Sequence, residues 1–214
     1  TDRGKHYASR VRCEGGRLRL PALCGHASPA GEILAGGKNR SIQEYLSETH
    51  SVVWRVSAVD KLCVVPCGQR KIWSQEPGRG PTPAVEVYVG SFSRLCREYA
   101  QRFFDKWVVL SAKYGFLYPQ DIVPADYNVS FNRVTPKPIS IDELRCQIAS
   151  RGLAEFDTIV VLGGRRYVEV VVAAFGGDYS YELPLAGAAG IGVMMQRLRR
   201  ALDDDQEIRM KAGG

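Results

Sequence analysis

The rhythm of hydrophobic positions changes near residue 60. Before it, short alternating segments at residues 9–12 and 17–20 are broken by the glycine pairs Gly15-Gly16 and Gly36-Gly37. Ser41 with Glu44 has the spacing of a capping box, which predicts a short helix over residues 41–49, and residues 51–56 read as a strand. Residues 1–58 are therefore expected to form a small β-rich N-terminal extension. After residue 60, continuous β-branched runs alternate with stretches of helical period. Strands are predicted at 61–66, 107–110, 158–162 and 179–183, and helices at 91–105, 140–151, 165–175 and 192–203. Phe92, Leu95, Tyr99 and Phe103 share one face of the first helix, and Ser140 with Glu143 forms a second capping box. Strands without polar alternation are buried on both faces. The expected fold class is thus α/β, a Rossmann-like four-stranded parallel sheet over residues 59–214. The Pro/Gly-rich stretch 76–83 is expected to be a mobile surface loop.

Open α/β sheets bind ligands beyond the carboxyl ends of their strands, so the residues following each predicted strand matter most. After the first come Gly68 and Gln69, a close-approach glycine and an amide, then Arg70 and Lys71, which suit phosphate. After the second, Ser111, Lys113 and Tyr114 offer a hydroxyl, a cation and a stacking ring, and Tyr88 is a further stacking candidate. A proline-punctuated loop containing Asp121 leads to Asp126-Tyr127-Asn128. There a carboxylate at the mouth of a basic pocket can activate water or stabilise a sugar cation, and Asn128 can read a nucleobase edge. The competing reading of that tripeptide is an Asx turn. After the third strand, Gly163-Gly164 precede Arg165 and Arg166 at a helix start, where free N–H groups favour phosphate.

Composition narrows the function classes. The chain carries 29 Lys and Arg against 23 Asp and Glu, a net charge of +6, with the basic residues clustered. That balance favours a nucleic-acid partner. No apolar run approaches the roughly 18–20 residues that span a bilayer, and no charged-then-apolar leader opens the sequence, so no membrane association is expected. Of the six cysteines, Cys63 and Cys96 sit in apolar patterns and read as small core hydrophobes; a reduced, cytoplasmic, monomeric protein is the default. Cys67 has no histidine nearby in sequence and is assigned to packing rather than nucleophilic attack. His6, Cys13, Cys24 and His26 have spacing unlike a standard zinc site, so no metal is expected. The P-loop spacing is absent. Gly190-Ile191-Gly192 lacks the acid that would complete a dinucleotide fingerprint, and no cofactor is expected.

Six blocks in order carry a resemblance: PCGQRKIW (66–73), VYVGSFSRLCREYA (87–100), VLSAKYGFLYPQ (109–120), DYNVSF (126–131), VVLGGRRY (160–167) and LPLAGAAGIGVMMQRL (183–198). Through them, residues 61–202 resemble an uncharacterised-domain family of bacterial, archaeal and phage proteins. That domain is similar to the uracil-DNA-glycosylase-like α/β fold, including the accessory domain of archaeosine tRNA-guanine transglycosylases. Glycosylases of that fold carry Gly-Gln-Asp-Pro after the first strand and His-Pro-Ser-Pro after the last. Gly68-Gln69 match the start of the former, but Arg70 stands in place of its acid; Pro184-Leu185 fall where the latter would be, without its histidine. In size and fold the chain also resembles small antiphage DNA glycosylases.

The expected function is therefore a DNA N-glycosylase that excises a modified base, such as a hypermodified base of phage DNA, leaving an abasic site. Asp126 and Asn128 are the catalytic candidates. Gly68, Gln69, Tyr88, Ser111 and Tyr114 are assigned to the substrate, and Arg70, Lys71, Lys113, Arg165 and Arg166 to the nucleic-acid backbone. Two alternatives stay open: a non-catalytic nucleic-acid-binding accessory domain, and a nucleoside or nucleotide N-glycosidase or transferase.

Overall fold

A computed structural model describes residues 60–208; the helix, strands and His/Cys cluster considered for residues 1–58 lie outside them. The apolar run Lys61–Pro66 forms strand β1, buried along its last five residues. After a 3-10 turn at Ile72–Ser74 come β2 (Thr82–Pro83), the one-turn helix α1 (Ala84–Val87) and helix α2 (Ser91–Phe103). Strands β3 (Lys106–Ser111), β4 (Gly115–Leu117) and β5 (Ile122–Val123) precede helix α3 (Ile141–Ser150). Then follow a 3-10 turn at Leu153–Glu155, β6 (Thr158–Val161), α4 (Arg165–Phe175), β7 (Ser180–Glu182) and α5 (Ile191–Asp203).

The main sheet has the order β4-β3-β1-β6-β7. Its four parallel strands are those expected, with Cys63 of β1 opposite Trp107 of β3 and Val160 of β6. The sheet nevertheless has five strands, because β4 adds antiparallel to the edge of β3. The polar run after β3 is thus a hairpin turn rather than an open loop. Gly115 reverses the chain at φ +76°, a left-handed conformation that disfavours side chains. Ser111 Oγ accepts from the N–H groups of Lys113 (3.2 Å) and Tyr114 (3.1 Å), and Gln147 of α3 bridges Tyr114 O and Phe116 N.

Alternation along the parallel strands sorts their side chains to two faces. Cys63, Val65, Trp107, Val109 and Val160 pack with Cys96, Tyr99 and Ala100 of α2 and Leu198 and Ala201 of α5. Leu62, Val64, Val108, Leu110 and Ile159 pack with Leu144 and Ile148 of α3 and Val170, Val171 and Ala174 of α4. Helices on both faces explain why the strands show no polar alternation. Cys63 and Cys96 are free, fully buried thiols, and burial holds both pKa values above the ordinary cysteine range. The Ser140 capping box forms as expected: Ser140 Oγ accepts from Glu143 N while the Glu143 carboxylate accepts from Ser140 N.

Residues 76–83 are more tightly held than the expected mobile loop. Trp73 Nε1 donates to Arg79 O at 2.6 Å, Arg79 donates to Thr82 Oγ1 and pairs with Glu76 and Glu86, and β2 pairs with β5. Among the described residues no helix is long and apolar enough to cross a membrane.

Candidate functional site

From β1 the chain crosses by way of α2 on one face to β3, whereas β6 is reached through α3 on the other. Successive crossovers therefore diverge beside β1, and a crevice opens at the carboxyl ends of β1 and β6, the usual ligand position in such sheets. A cavity of about 890 Å³ occupies it. The end of β1 and the segment after it supply Pro66–Lys71, and the Asn128–Arg133 segment supplies five residues. The starts of α2, α4 and α5 supply Gly90–Ser93, Gly164–Tyr167 and Ile191, Met194 and Met195.

Seven of the expected site residues meet in this wall: Gly68, Gln69, Arg70, Lys71, Asn128, Arg165 and Arg166. The wall includes five cationic side chains, with Arg133 as the fifth, and no Asp or Glu. Arg165 and Arg166 share Glu169 at 2.9 and 3.2 Å, while Arg70 and Arg133 have no ion pair among the described residues. Phe92, Val129, Ile191, Met194 and Met195 add apolar surface to the same lining. A lining that combines unpaired arginines with apolar side chains suits a ligand that joins anionic groups to a flat, apolar ring.

The other five expected residues lie outside the wall. Tyr88 is only 3% exposed, so its ring offers no free stacking face. Its hydroxyl lies 2.6 Å from that of Tyr127, which is 2.8 Å from Ser111 Oγ. Ser111 already accepts two backbone N–H groups, so its own proton points to Tyr127. Burial holds the Tyr88 and Tyr127 hydroxyls well above the ordinary phenol range, so both stay protonated. Tyr114 packs edge-on against Tyr127, with Lys113 Nζ 4.9 Å from the Tyr114 ring centre. These residues buttress the site. Asp121, upstream, is taken up by Arg151 and the Tyr118 N–H.

Lys71 reaches the wall but is not a surface phosphate contact. It is 5% exposed, donates to Tyr127 O at 2.6 Å and Gln69 O at 3.3 Å, and lies 4.2 Å from the Tyr127 ring centre. It therefore ties the segment after β1 to the Asp126–Asn128 segment. Burial lowers its pKa below the ordinary lysine range, opposed by the nearby Asp126 carboxylate. Asp126 Oδ1 accepts from Tyr127 N at 2.8 Å and lies 3.9 Å from Lys71 Nζ. Its side chain is 60% exposed, two residues from Asn128.

Cys67 lies in the wall with Sγ 3.1 Å from the Tyr167 hydroxyl, which donates to Cys67 O at 2.9 Å. Burial raises its pKa, partly offset by that contact, so a thiol and not a thiolate is present at neutral pH. Alkylation of Cys67 by iodoacetamide, followed by peptide mass spectrometry, is expected to be slower at pH 7 than in an unstructured cysteine peptide and to accelerate only at alkaline pH. Cys67→Ala should retain most activity. Equal alkylation rates at pH 7 would reveal a thiolate and return the residue to the list of nucleophiles.

The unforeseen wall residues include Gly90, Phe92, Ser93, Arg133, Tyr167 and the Met194-Met195 pair. Their sequence signal was partial. Gly90-Ser91-Phe92-Ser93 opens a helix without an acidic cap, and the polar run after Asn128 continues through Asn132-Arg133. Among the described residues no group of three or more His, Cys, Asp or Glu is arranged to hold a metal.

Residues 62–200 match a family of unknown function, DUF6884. The chain is also similar to the uncharacterized protein YfjM of Bacillus subtilis (strain 168), at 41% identity over 148 residues, covering 69% of this chain and 99% of that one. The chain belongs to the DUF6884 family, and the match includes every segment of the cavity wall.

Proposed function

We propose that this family member is a DNA N-glycosylase that takes one modified nucleotide out of a DNA strand and hydrolyses its base–sugar bond, as in defence against modified phage DNA. The observation that carries this reading is the cavity at the strand ends, whose lining combines cations, amides and apolar groups and contains no Asp or Glu. Its volume of about 890 Å³ lies in the range of small-molecule sites and leaves room for one extruded nucleotide. In this scheme Gln69 and Asn128 hydrogen-bond the base edge, and Phe92 provides the stacking ring in place of the buried Tyr88. Arg70, Arg133, Arg165 and Arg166 hold the strand. Asp126 stabilises the positive charge that builds on the sugar as the C1′–N bond breaks. It also orients the water whose hydroxyl adds to C1′, while the departing base takes up the proton.

One observation favours a second reading, a non-catalytic nucleic-acid-binding module: no carboxylate lies in the wall itself. Incubating the full chain with modified phage DNA and with unmodified DNA, then measuring released base and abasic sites, separates the two. Free base with matching abasic sites from modified DNA is the expected result. Bound but chemically unchanged DNA from every source would leave only the binding module.

A further inference from the structure

We infer that the amino end of α2 is a dedicated phosphate subsite, in which the N–H groups of Ser91, Phe92 and Ser93, the Ser93 hydroxyl and the Arg70 guanidinium converge on one phosphoryl group. The inference deepens the function proposed above and rests on it for the ligand's being a nucleotide; the anion itself is argued from the residues.

Helix α2 is 13 residues long, and its N-cap is Gly90, which offers no side chain to the helix end. The first helical hydrogen bond at this end is Arg94 N to Gly90 O at 2.9 Å, which leaves the three preceding N–H groups without a helical acceptor. Such groups, with the helix dipole behind them, attract an anion. Many helix starts share that property, so the neighbouring side chain decides the case.

Ser93 is 5% exposed and lies in the cavity wall, yet its hydroxyl has no hydrogen-bond partner among the described residues. The hydroxyl oxygen itself is not sealed in the interior, so it is open to a partner that enters the cavity. Its direction is fixed by Gly68: a Cβ at that position would lie 2.5 Å from Ser93 Oγ. The hydroxyl therefore packs against the bare Cα of Gly68 at the cavity lining, and the absence of a Cβ there makes room for it. Arg70, two residues further along, passes beside Gly90, where an added Cβ would lie 3.9 Å from Arg70 Cβ. Arg70 is exposed and has no ion pair among the described residues. A hydroxyl without a partner and three N–H groups without a helical acceptor thus open one helix, and a cation without a counterion has its stem beside the cap of that helix. The other two helix starts lack this combination. The arginines that open α4 already share Glu169, and α5 opens with the exposed Ile191 and Gly192.

The test uses the full chain, with amide NMR titrations at constant ionic strength against inorganic phosphate, a 5′-mononucleotide and a short single-stranded oligonucleotide. Saturable shifts at Ser91–Ser93 are expected. Ser93→Ala and Arg70→Ala should each weaken inorganic phosphate binding by about tenfold or more, the loss for one hydrogen bond to a charged group. Gly68→Ala, which fills the cradle, should do the same; if it does not fold, Ser93→Ala carries the test alone. Weaker mononucleotide binding in the variants would identify a free nucleotide phosphate as the source, and weaker oligonucleotide binding a strand phosphate. Either outcome supports the subsite. Titrations unchanged by Ser93→Ala, or shifts confined to Arg165–Tyr167, would overturn it. Phosphate binding that depends on Ser93 in a protein that releases no base would remove the glycosylase reading and leave the subsite standing.

Discussion

Asp126→Asn is expected to stop base release from modified DNA while leaving DNA binding intact or slightly tighter. Asparagine keeps the size of the side chain and an oxygen able to accept from Tyr127 N, as Asp126 Oδ1 does at 2.8 Å. The local turn should therefore survive, and the charge alone is lost. A carboxylate that stabilises a developing sugar cation and orients water contributes about 10²–10⁴ in rate. Binding should persist because the strand contacts are assigned to the arginines of the wall, and removing a negative charge near them reduces repulsion of phosphate. Single-turnover measurement of released base, beside a binding isotherm and a circular dichroism spectrum, reads all three quantities. A folded Asp126→Asn protein that releases base at the wild-type rate would end the assignment. An unfolded one would show that the Asx turn, not chemistry, is what this aspartate provides.

The sequence carried the parallel sheet in full, because Lys61–Pro66, Lys106–Ser111 and Thr158–Val161 are apolar runs bounded by polar or glycine residues. Arg165–Phe175 begins and ends where its period does, and the Ser140–Glu143 box is local chemistry that needs no tertiary information. Strand β4 was not legible. Its three residues show no alternation, and its existence depends on the positive φ of Gly115 and on Gln147, which arrives from α3. For the same reason Ser111, Lys113 and Tyr114 looked like an open site: a polar run after a strand can be a pocket mouth or a hairpin turn, and only the partner strand decides. Tyrosine is ambiguous in a similar way. Tyr88 could stack on a base or bury its ring while its hydroxyl finds a partner, and Tyr127, more than fifteen residues from either partner it joins, settles the matter. Gly68, Gln69 and Arg165, which follow strand ends, do come together in one cavity lining, because the fold itself dictates where such residues meet.

Lys71 gives the second large expected effect, and it separates a structural cation from a ligand-binding one. Lys71→Met should lower stability by about 1–3 kcal/mol, the usual consequence of leaving a buried acceptor without its donor. The acceptor in question is Tyr127 O, held at 2.6 Å by Lys71 Nζ; Gln69 O, at 3.3 Å, belongs to an exposed residue that water can reach. Methionine preserves the apolar stem in its slot, so the effect isolates the ammonium group. Loss of the contact with the Tyr127 ring adds to the destabilisation, while relief from burying a charge subtracts from it. Because Lys71 joins the segments bearing Gln69 and Asn128, base release should fall along with stability. The salt dependence of DNA binding should not change, since a lysine 5% exposed and already committed to two carbonyls displaces no counterion from DNA. Arg70→Met and Arg165→Met should behave in the opposite way, each flattening the slope of log K against log salt by about 0.9 with little change in urea midpoint. Urea unfolding and salt titration on the three variants give the answer. A flattened salt slope with unaltered stability in Lys71→Met would place Lys71 on a phosphate after all, and would require the loop after β1 to open when DNA binds.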